Sequence, residues 1–565
     1  MLRFLPWLTV ALFLGPVAAG LLGTVLPSLG YLPVLGGERL SLEPWRRLLD
    51  APGFATALRL SLVSGLVSTA LALALTILVF AAGHGTRTLT RAKKSMTPVL
   101  AVPHLAMAVG LAFLIAPSGW LVRLASPWLT GWDRPPDLAL VQDGDGLALI
   151  LGLAIKETPF LILMTFAALG QTGADDQLRM ARSLGYGPVC AWLKVVLPRV
   201  YPQIRLPVYA VLAYALSVVD MAIVLGPTTP PTLAVVVLRW FNDPDLAMRF
   251  QAAAGACLQL VIVVAAIALW RVLEILLAWL ARPWLVGGRR GGSGRAAKVA
   301  AWSGIALLIG LALGSVLSLA VWSVAGPWRF PDAWPAALSQ DGWTQRLHLV
   351  AQPALTTLAI GLATTLVALL LVAGCLENES RQRDRPGRGA LTMIYLPLLA
   401  PQIGFLFGVQ LLLVWIGLDG THVAVVWAHL LFVLPYVFLT LADPYRSLDP
   451  RYARSALALG KPPWMVWLRV KLVMLLRPLL IAGAIGFAVS AAQYVPTLFA
   501  GGGRIMTLTT EALSLAAGGN RRTVGVVAFT LAVLPLLGFA LAIGVPAWRF
   551  RHRRTLRAMA QEVAT

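Results

Sequence analysis

Within stretches that are otherwise almost wholly apolar, the sequence places a few side chains able to hold a proton, an ion or a polar solute: His104, the adjacent pair Lys156-Glu157, and Asp220. A charge at mid-bilayer costs about 2.5–3.5 kcal/mol on insertion scales, so such residues face a cavity or a partner, and lining a solute route or relaying protons is the chemistry open to them. Lys156 and Glu157 point about 100° apart on a helix, so each needs its own partner. Gln402 and His104 each follow a proline, and Ser217 and Ser490 stand three residues before Asp220 and Gln493. The blander role for these groups is inter-helix hydrogen bonding, and it is the expected one for His429 and the glutamines. Nothing else suggests a reaction centre. There is no GxxxxGK[ST], HExxH or GxSxG; Cys190, Cys257 and Cys375 are far apart with no CxxC, and the six histidines are scattered. The expectation is no catalytic residues, no metal site and no nucleotide-binding loop in this chain, which is therefore not read as an enzyme.

The elements that must position those groups are membrane spans. Of 565 residues, 58% are hydrophobic and only 12% charged, with a mean hydropathy of +0.79; a soluble protein carries about twice that charged fraction. The balance of 46 Lys+Arg against 24 Asp+Glu gives +22, yet the basic residues fall in clusters between apolar runs, which is an orientation signal and not a nucleic-acid footprint. A span needs roughly 20 mostly apolar residues. That ruler gives twelve: Leu5–Leu26, Phe54–Ala82, Pro98–Ala116, Leu147–Gly170, Gln203–Gly226, Gln251–Leu280, Val299–Ala325, Ala354–Leu376, Leu391–Ile416, His422–Leu441, Pro478–Ala500 and Thr523–Ala547. The 20 tryptophans are expected to form mostly an interfacial belt. The first span, with Arg3 before it and Val17-Ala18-Ala19-Gly20 within it, has some look of a signal peptide. The charge pattern argues for a retained helix. With every span counted and the amino terminus cytoplasmic, 31 Lys and Arg fall in inside connections and 12 outside. The inside groups include Arg87 to Lys94, Arg282 to Lys298, Arg381, Arg383, Arg385 and Arg388, and Arg549 to Arg557. Both termini are therefore expected in the cytoplasm.

The inside segments before the fifth and eleventh spans are alike. With an offset of 275, Arg179–Leu197 (RMARSLGYGPVCAWLKVVL) overlies Arg454–Leu472 (RSALALGKPPWMVWLRVKL), and nine of 19 positions agree, among them Ala181/Ala456, Gly185/Gly460, Pro188/Pro463 and Trp192/Trp467. Pro103-His104 against Pro401-Gln402, and Pro159-Phe160 against Pro435-Tyr436, are weaker echoes. The chain reads as an all-α polytopic membrane protein of about twelve transmembrane helices in two homologous six-helix halves: 1–286, a Gly/Arg-rich cytoplasmic linker at 287–298 with the composition of a flexible tether, and 299–565. Each repeated segment predicts a short helix, a Gly turn and a second helix. Asp175 or Asp176 is expected to cap the first copy and Asp449-Pro450 the second; Gly185 and Gly460 end the helix left-handed, and Pro188 and Pro463 start the next. A single basic amphipathic loop would be read as lying on lipid headgroups; two matched copies argue for a pair of docking surfaces.

The repeated segment resembles the signature loop of binding-protein-dependent ABC transporter permeases: EAA, three residues, Gly, nine residues, a branched aliphatic, one residue, Leu-Pro. The first copy matches at Ala181, Gly185, Val195, Leu197 and Pro198, the second at Ala456, Gly460, Val470 and Leu472, with Val473 in place of the Pro. Both copies carry Arg (Arg179, Arg454) where the family usually has Glu. Fused two-by-six permeases of the iron(III), thiamine and Ynj types are similar over nearly the whole length, and Lys156–Phe160, Thr507–Ala512 and Gly518–Arg522 look most like the Ynj type. The resemblance implies the membrane subunit of an ATP-driven importer in a bacterial inner membrane. The two hairpins, with Trp192 and Trp467, would dock on two copies of a separate ATPase that binds the ATP and Mg, and an extracellular or periplasmic binding protein would deliver the solute. His104, Lys156, Glu157, Asp220, Gln402 and Gln493 are the candidate lining of the pathway. The alternative is an ion-gradient-driven secondary transporter with Asp220, Glu157 or His104 carrying protons; the duplicated hairpin speaks against it. Thiamine, a metal chelate and an oxyanion all fit as cargo.

Overall fold

The computed structural model describes residues 2–382 and 387–549. Arg383, Arg385, Arg551, Arg553, Arg554, Arg557 and the Arg388 side chain lie outside the described residues. The described residues are helical apart from connections and two isolated bridges. In the first half the helices that make up the spans and the repeated segment include α1 (Leu5–Ser28), α2 (Phe54–Gly83), α3 (Arg87–Ala101), α4 (His104–Ile115), α5 (Leu147–Leu169), α6 (Ala174–Ser183), α7 (Leu197–Ser217), α8 (Asp220–Leu225) and α9 (Met248–Val286). In the second they are α10 (Arg295–Val324), α11 (Leu347–Gln382), α12 (Arg388–Leu399), α13 (Ile403–Trp415), α14 (His422–Arg446), α15 (Pro450–Ala458), α16 (Leu476–Ala491), α17 (Val495–Gly501) and α18 (Arg521–Arg549).

Eight of the twelve expected spans are continuous helices. The other four, the third, fifth, ninth and eleventh, are broken, and they form two matching pairs. The third breaks at Val102-Pro103 between α3 and α4, and the ninth at Ala400-Pro401 between α12 and α13, where the pieces meet at 106°. The cause is in the sequence: proline lacks the N–H that would continue the helix, and it pushes the residue before it into an extended conformation. The fifth breaks at Val218-Val219 and the eleventh at Ala492–Tyr494. Length and apolarity pick out nine membrane-crossing helices among the described residues, or eleven if each of two bent pairs is one span. The remaining expected span is α7, 21 residues that include Arg199, Gln203 and Arg205 but pack against α2 and α5 within the bundle.

The halves interlock. The first helix of each lies along the third span of the other, α1 on α13 and α10 on α4, and these are among the most extensive helix pairings in the molecule. Glycine makes both approaches possible. A Cβ at Gly20 would stand 2.5 Å from the Phe405 carbonyl oxygen, and one at Gly110 would stand 2.5 Å from that of Ser315. Small residues that let backbones touch are the usual means of joining helices in lipid, where burial of apolar surface drives nothing. Trp427 Nε1 also donates to the Leu12 carbonyl at 2.8 Å.

At the end remote from the repeated segments, Arg123 donates to the carbonyls of Arg329 (2.7 Å) and Ser118, while Arg521 donates to Ser118 O and Oγ. Both guanidiniums lie near the Trp322 ring, and Arg123 also over Trp328. Trp120, Trp322 and Trp328 are thus a buried clasp between the halves and not part of a lipid belt. Gly20→Ala and Gly110→Ala should each force the helix backbones apart at about 1–3 kcal/mol, lowering the thermal unfolding midpoint of detergent-solubilised protein. Gly544→Ala, with nothing within 4 Å of the added carbon, should leave the midpoint unchanged or raise it.

Candidate functional site

Two groups of residues stand out, the repeated segments at one end and the ionisable cluster in the bundle. The repeated segments share one local structure. In the first, α6 ends at Gly185 (φ +85°), a short helix follows at Pro188–Ala191, and Trp192–Val196 opens into a π-turn before α7. In the second, α15 ends at Gly460 (φ +75°), Pro463–Val466 follows, and Trp467–Lys471 forms the same π-turn. The left-handed glycines and first-turn prolines are as the sequence predicts. The π-turns, common at functional sites, left no signal in it. Asp449 caps its helix through the Arg451 amide at 2.8 Å. Neither Asp175 nor Asp176 caps the first copy: α6 begins at Ala174 with Gly173 at its N-cap, so both aspartates lie in its first turn, where Asp175 accepts from His84 Nε2 at 2.8 Å and Asp176 pairs with Arg179.

Ala181 and Trp192 are buried, Val195 and Leu197 half-buried, and Gly185 and Pro198 exposed. In the second copy Ala456, Trp467, Val470 and Leu472 are half-buried and Gly460 is exposed. Leu184 and Leu459, at the same place in each turn, are both exposed, as are Met180, Leu457 and Trp464. Each hairpin thus offers apolar side chains ringed by Arg182 or by Arg451, Arg454 and Lys461.

The two seats differ. Trp192 packs flat on Phe80, ring centroids 6.1 Å apart, and its Nε1 has no hydrogen-bond partner. Trp467 Nε1 donates to Tyr445 Oη at 3.0 Å, and Tyr445 Oη donates in turn to Glu377 at 2.6 Å. Glu377 also receives Lys471 Nζ and Arg381 Nε, both at 2.7 Å, and Arg381 reaches on to the Pro463 carbonyl. Sequence reading missed this brace. The Glu377/Arg381 spacing of four was a legible hint; Lys471 and Tyr445 arrive only through the fold.

Inside the bundle the third-span break is held by a charge. Lys156 Nζ donates to the carbonyls of Val99 (3.0 Å) and Val102 (2.6 Å), the groups that Pro103 leaves unpaired. Glu157 approaches His104 Nε2 at 3.5 Å, His104 packs 4.8 Å from the Tyr214 ring, and buried Asp220 opens α8. Asp220 is within electrostatic range of His104 and Lys156, Tyr436 of Glu157, and Tyr494 of Asp220. Four first-half helices (α4, α5, α7 and α8) and two second-half tyrosines therefore meet in one polar cluster. The tyrosines carried no sequence signal, because a phenol in a span reads as apolar. Gln402 and Gln493 sit at the two second-half breaks, and Gln493 Oε1 is buried without a partner. His429 bridges the eleventh-span break, Nδ1 to Ser490 and Nε2 to Thr497, both at 2.8 Å. Among the described residues no three His, Cys, Asp or Glu side chains cluster as metal ligands.

No protein-family model matches the chain. It is 32% identical over 556 residues, 98% of both chains, to the inner membrane ABC transporter permease protein YnjC of Escherichia coli (strain K12). A shorter stretch of 187 residues is 29% identical to the molybdenum transport system permease protein ModB of Mycobacterium tuberculosis and of Mycobacterium bovis, covering 30% of this chain and 70% of each relative. Glu377→Gln would strand Lys471 and loosen the second hairpin by about 3 kcal/mol. Limited proteolysis within 450–471 should accelerate while cleavage within 174–197 stays at the wild-type rate.

Proposed function

From the premise that this chain belongs to the inner membrane ABC transporter permeases and is the permease subunit of an ABC importer, we propose how its parts serve that role. The two Gly-turn hairpins are the coupling elements, each seated on one copy of a separate ATPase subunit that binds the ATP and Mg. Residues 1–286 and 299–565 are two permease domains joined at 287–298. The hairpin end, with its Arg and Lys clusters, faces the cytoplasm, and both termini lie on that side. A solute-binding protein meets the opposite end, where the Arg123 and Arg521 clasp closes the bundle.

The observation that carries the reading is the recurrence of one hairpin, down to the left-handed glycine, the exposed leucine and the π-turn, at Gly185, Leu184 and Trp192–Val196 and again at Gly460, Leu459 and Trp467–Lys471. A single pore has no structural need for two apolar-tipped cytosolic levers, whereas two motor subunits closing on ATP require a matched pair. For the cycle to run, ATP and the loaded binding protein must both favour the outward-facing arrangement, since a ligand shifts an equilibrium only by its differential affinity for the two states. The route passes between the paired helix breaks. His104, Lys156, Glu157 and Asp220 line it from the first half, and Gln402 and Gln493 stand at the matching breaks of the second. Broken helices suit this place because irregular backbone is tolerated at membrane depth where it lines a cavity or is buried in protein.

Gly185→Arg combined with Gly460→Arg puts a Cβ into two left-handed turns and a bulky charge on both tips. The double variant should insert at wild-type levels and lose ATPase association. Co-purification with a full complement of ATPase would refute the assignment.

A further inference from the structure

The segment expected to be a loose tether is folded onto the first hairpin. Gly187 N donates to the Arg290 carbonyl at 2.9 Å, Lys194 Nζ to the Gly287 carbonyl at 2.6 Å, and Cys190 Sγ lies 3.5 Å from the Arg289 carbonyl. Lys194 is also held over the rings of Tyr186 and Trp284. At three points the packing leaves no room for a side chain: a Cβ on Gly187 would collide with the Gly292 carbonyl, one on Gly294 would lie 2.5 Å from Val189, and one on Gly291 would lie 2.8 Å from Cys190. The strap carries the Arg290 guanidinium to the tip, within 3.3 Å of where a Cβ on Gly185 would be. Arg289 and Arg290 are exposed, and neither forms an ion pair among the described residues.

Among the described residues the second hairpin has no such cover, and the sequence gives a reason. The residue matching Gly187 is Pro462, which has no N–H to give a strap. No described residue stands within 4 Å of a Cβ on Gly460.

We propose that residues 287–294 are a built-in third segment of the first docking surface, placing Arg289 and Arg290 against acidic side chains of the ATPase there, so that the two hairpins hold their ATPase copies by different contacts. This rests on the reading of the hairpins as ATPase docking elements. The charge sets the occupant: two unpaired guanidiniums beside exposed Leu184 and Met180 fit an acidic, partly apolar protein face.

The strap is tested without any ATPase. Gly187 has an ordinary φ of −61°, so Gly187→Val strains only the strap. In the full chain in detergent, N-ethylmaleimide should alkylate Cys190, followed by peptide mass spectrometry, about tenfold faster in Gly187→Val than in wild type. Lys194→Met, which removes the Gly287 anchor, should act in the same direction and serves if Gly187→Val folds poorly. Unchanged Cys190 reactivity in a folded variant overturns the strap. The contact is tested in neutral-lipid nanodiscs with the ATPase that copurifies with the wild-type chain. Arg289→Glu with Arg290→Glu should weaken its binding about tenfold and flatten the salt dependence. Unchanged affinity and salt slope overturn the contact and leave the arginines to anionic headgroups. A wild-type chain that holds no ATPase overturns the docking reading itself, and this is distinguishable because Cys190 reports on the strap alone.

Discussion

A helix interrupted inside a bilayer must find new partners for the carbonyls it frees, because no water is there to take them. This chain does so four times. Lys156 serves Val99 and Val102 at the third-span break, Gln259 Nε2 reaches the Leu216 carbonyl at 2.9 Å beside the fifth, and Thr509 Oγ1 serves Ala491 beside the eleventh. At the ninth, α13 restarts at once, with the Gly404 amide on the Pro401 carbonyl. Three of the four solutions use a side chain, and one of these, Lys156, is also among the residues proposed to line the solute route. Lys156 shows the overlap: its ammonium is 2% exposed as a residue and tied to backbone, yet it lies within electrostatic range of Asp220.

The same repeated framework carries different chemistry in its two copies. The two cap contacts from Ser61 and Thr357, to the amides of Leu233 and Leu508, are both 2.9 Å and occupy matching positions. Around them the halves have diverged. The ionisable groups of the mid-membrane cluster all belong to the first half, with the second contributing phenols. At the hairpins the divergence runs the other way, with an apolar seat under Trp192 and an ionic brace under Trp467. Fusion into one chain permits this, since each half always meets the other and never a copy of itself.

Much of the plan was legible in the sequence because membrane helices are specified by length and apolarity, and turns by glycine and proline. The spans, the duplicated hairpin and its left-handed glycines were read from those signals, and the relative at 32% identity supports the family that the hairpin suggested. The breaks are invisible to hydropathy, although Pro103 and Pro401 lie within two of the spans, because apolar runs on both sides of a proline sum to one span. The composition of residues 287–298 predicts a flexible tether, whereas Gly291, Gly292 and Gly294 pack closely against Cys190, Gly187 and Val189. Composition tells that a backbone is unencumbered, not whether something approaches it. The aspartates expected to cap α6 were drawn off by His84 and Arg179, partners that no local rule reveals.

The exchange of first helices between halves sets an order of events during synthesis. When α10 leaves the ribosome, its groove on α4 has already been made. By contrast, α1 waits for α13, whose Gly408 is encoded nearly four hundred codons after Gly23; at about 5–20 residues per second this is roughly 20–80 s. Through that interval the glycine-bearing face of α1 has only lipid or an insertion chaperone to lie against, so the nascent chain's most exposed moment falls at its beginning and not at its end.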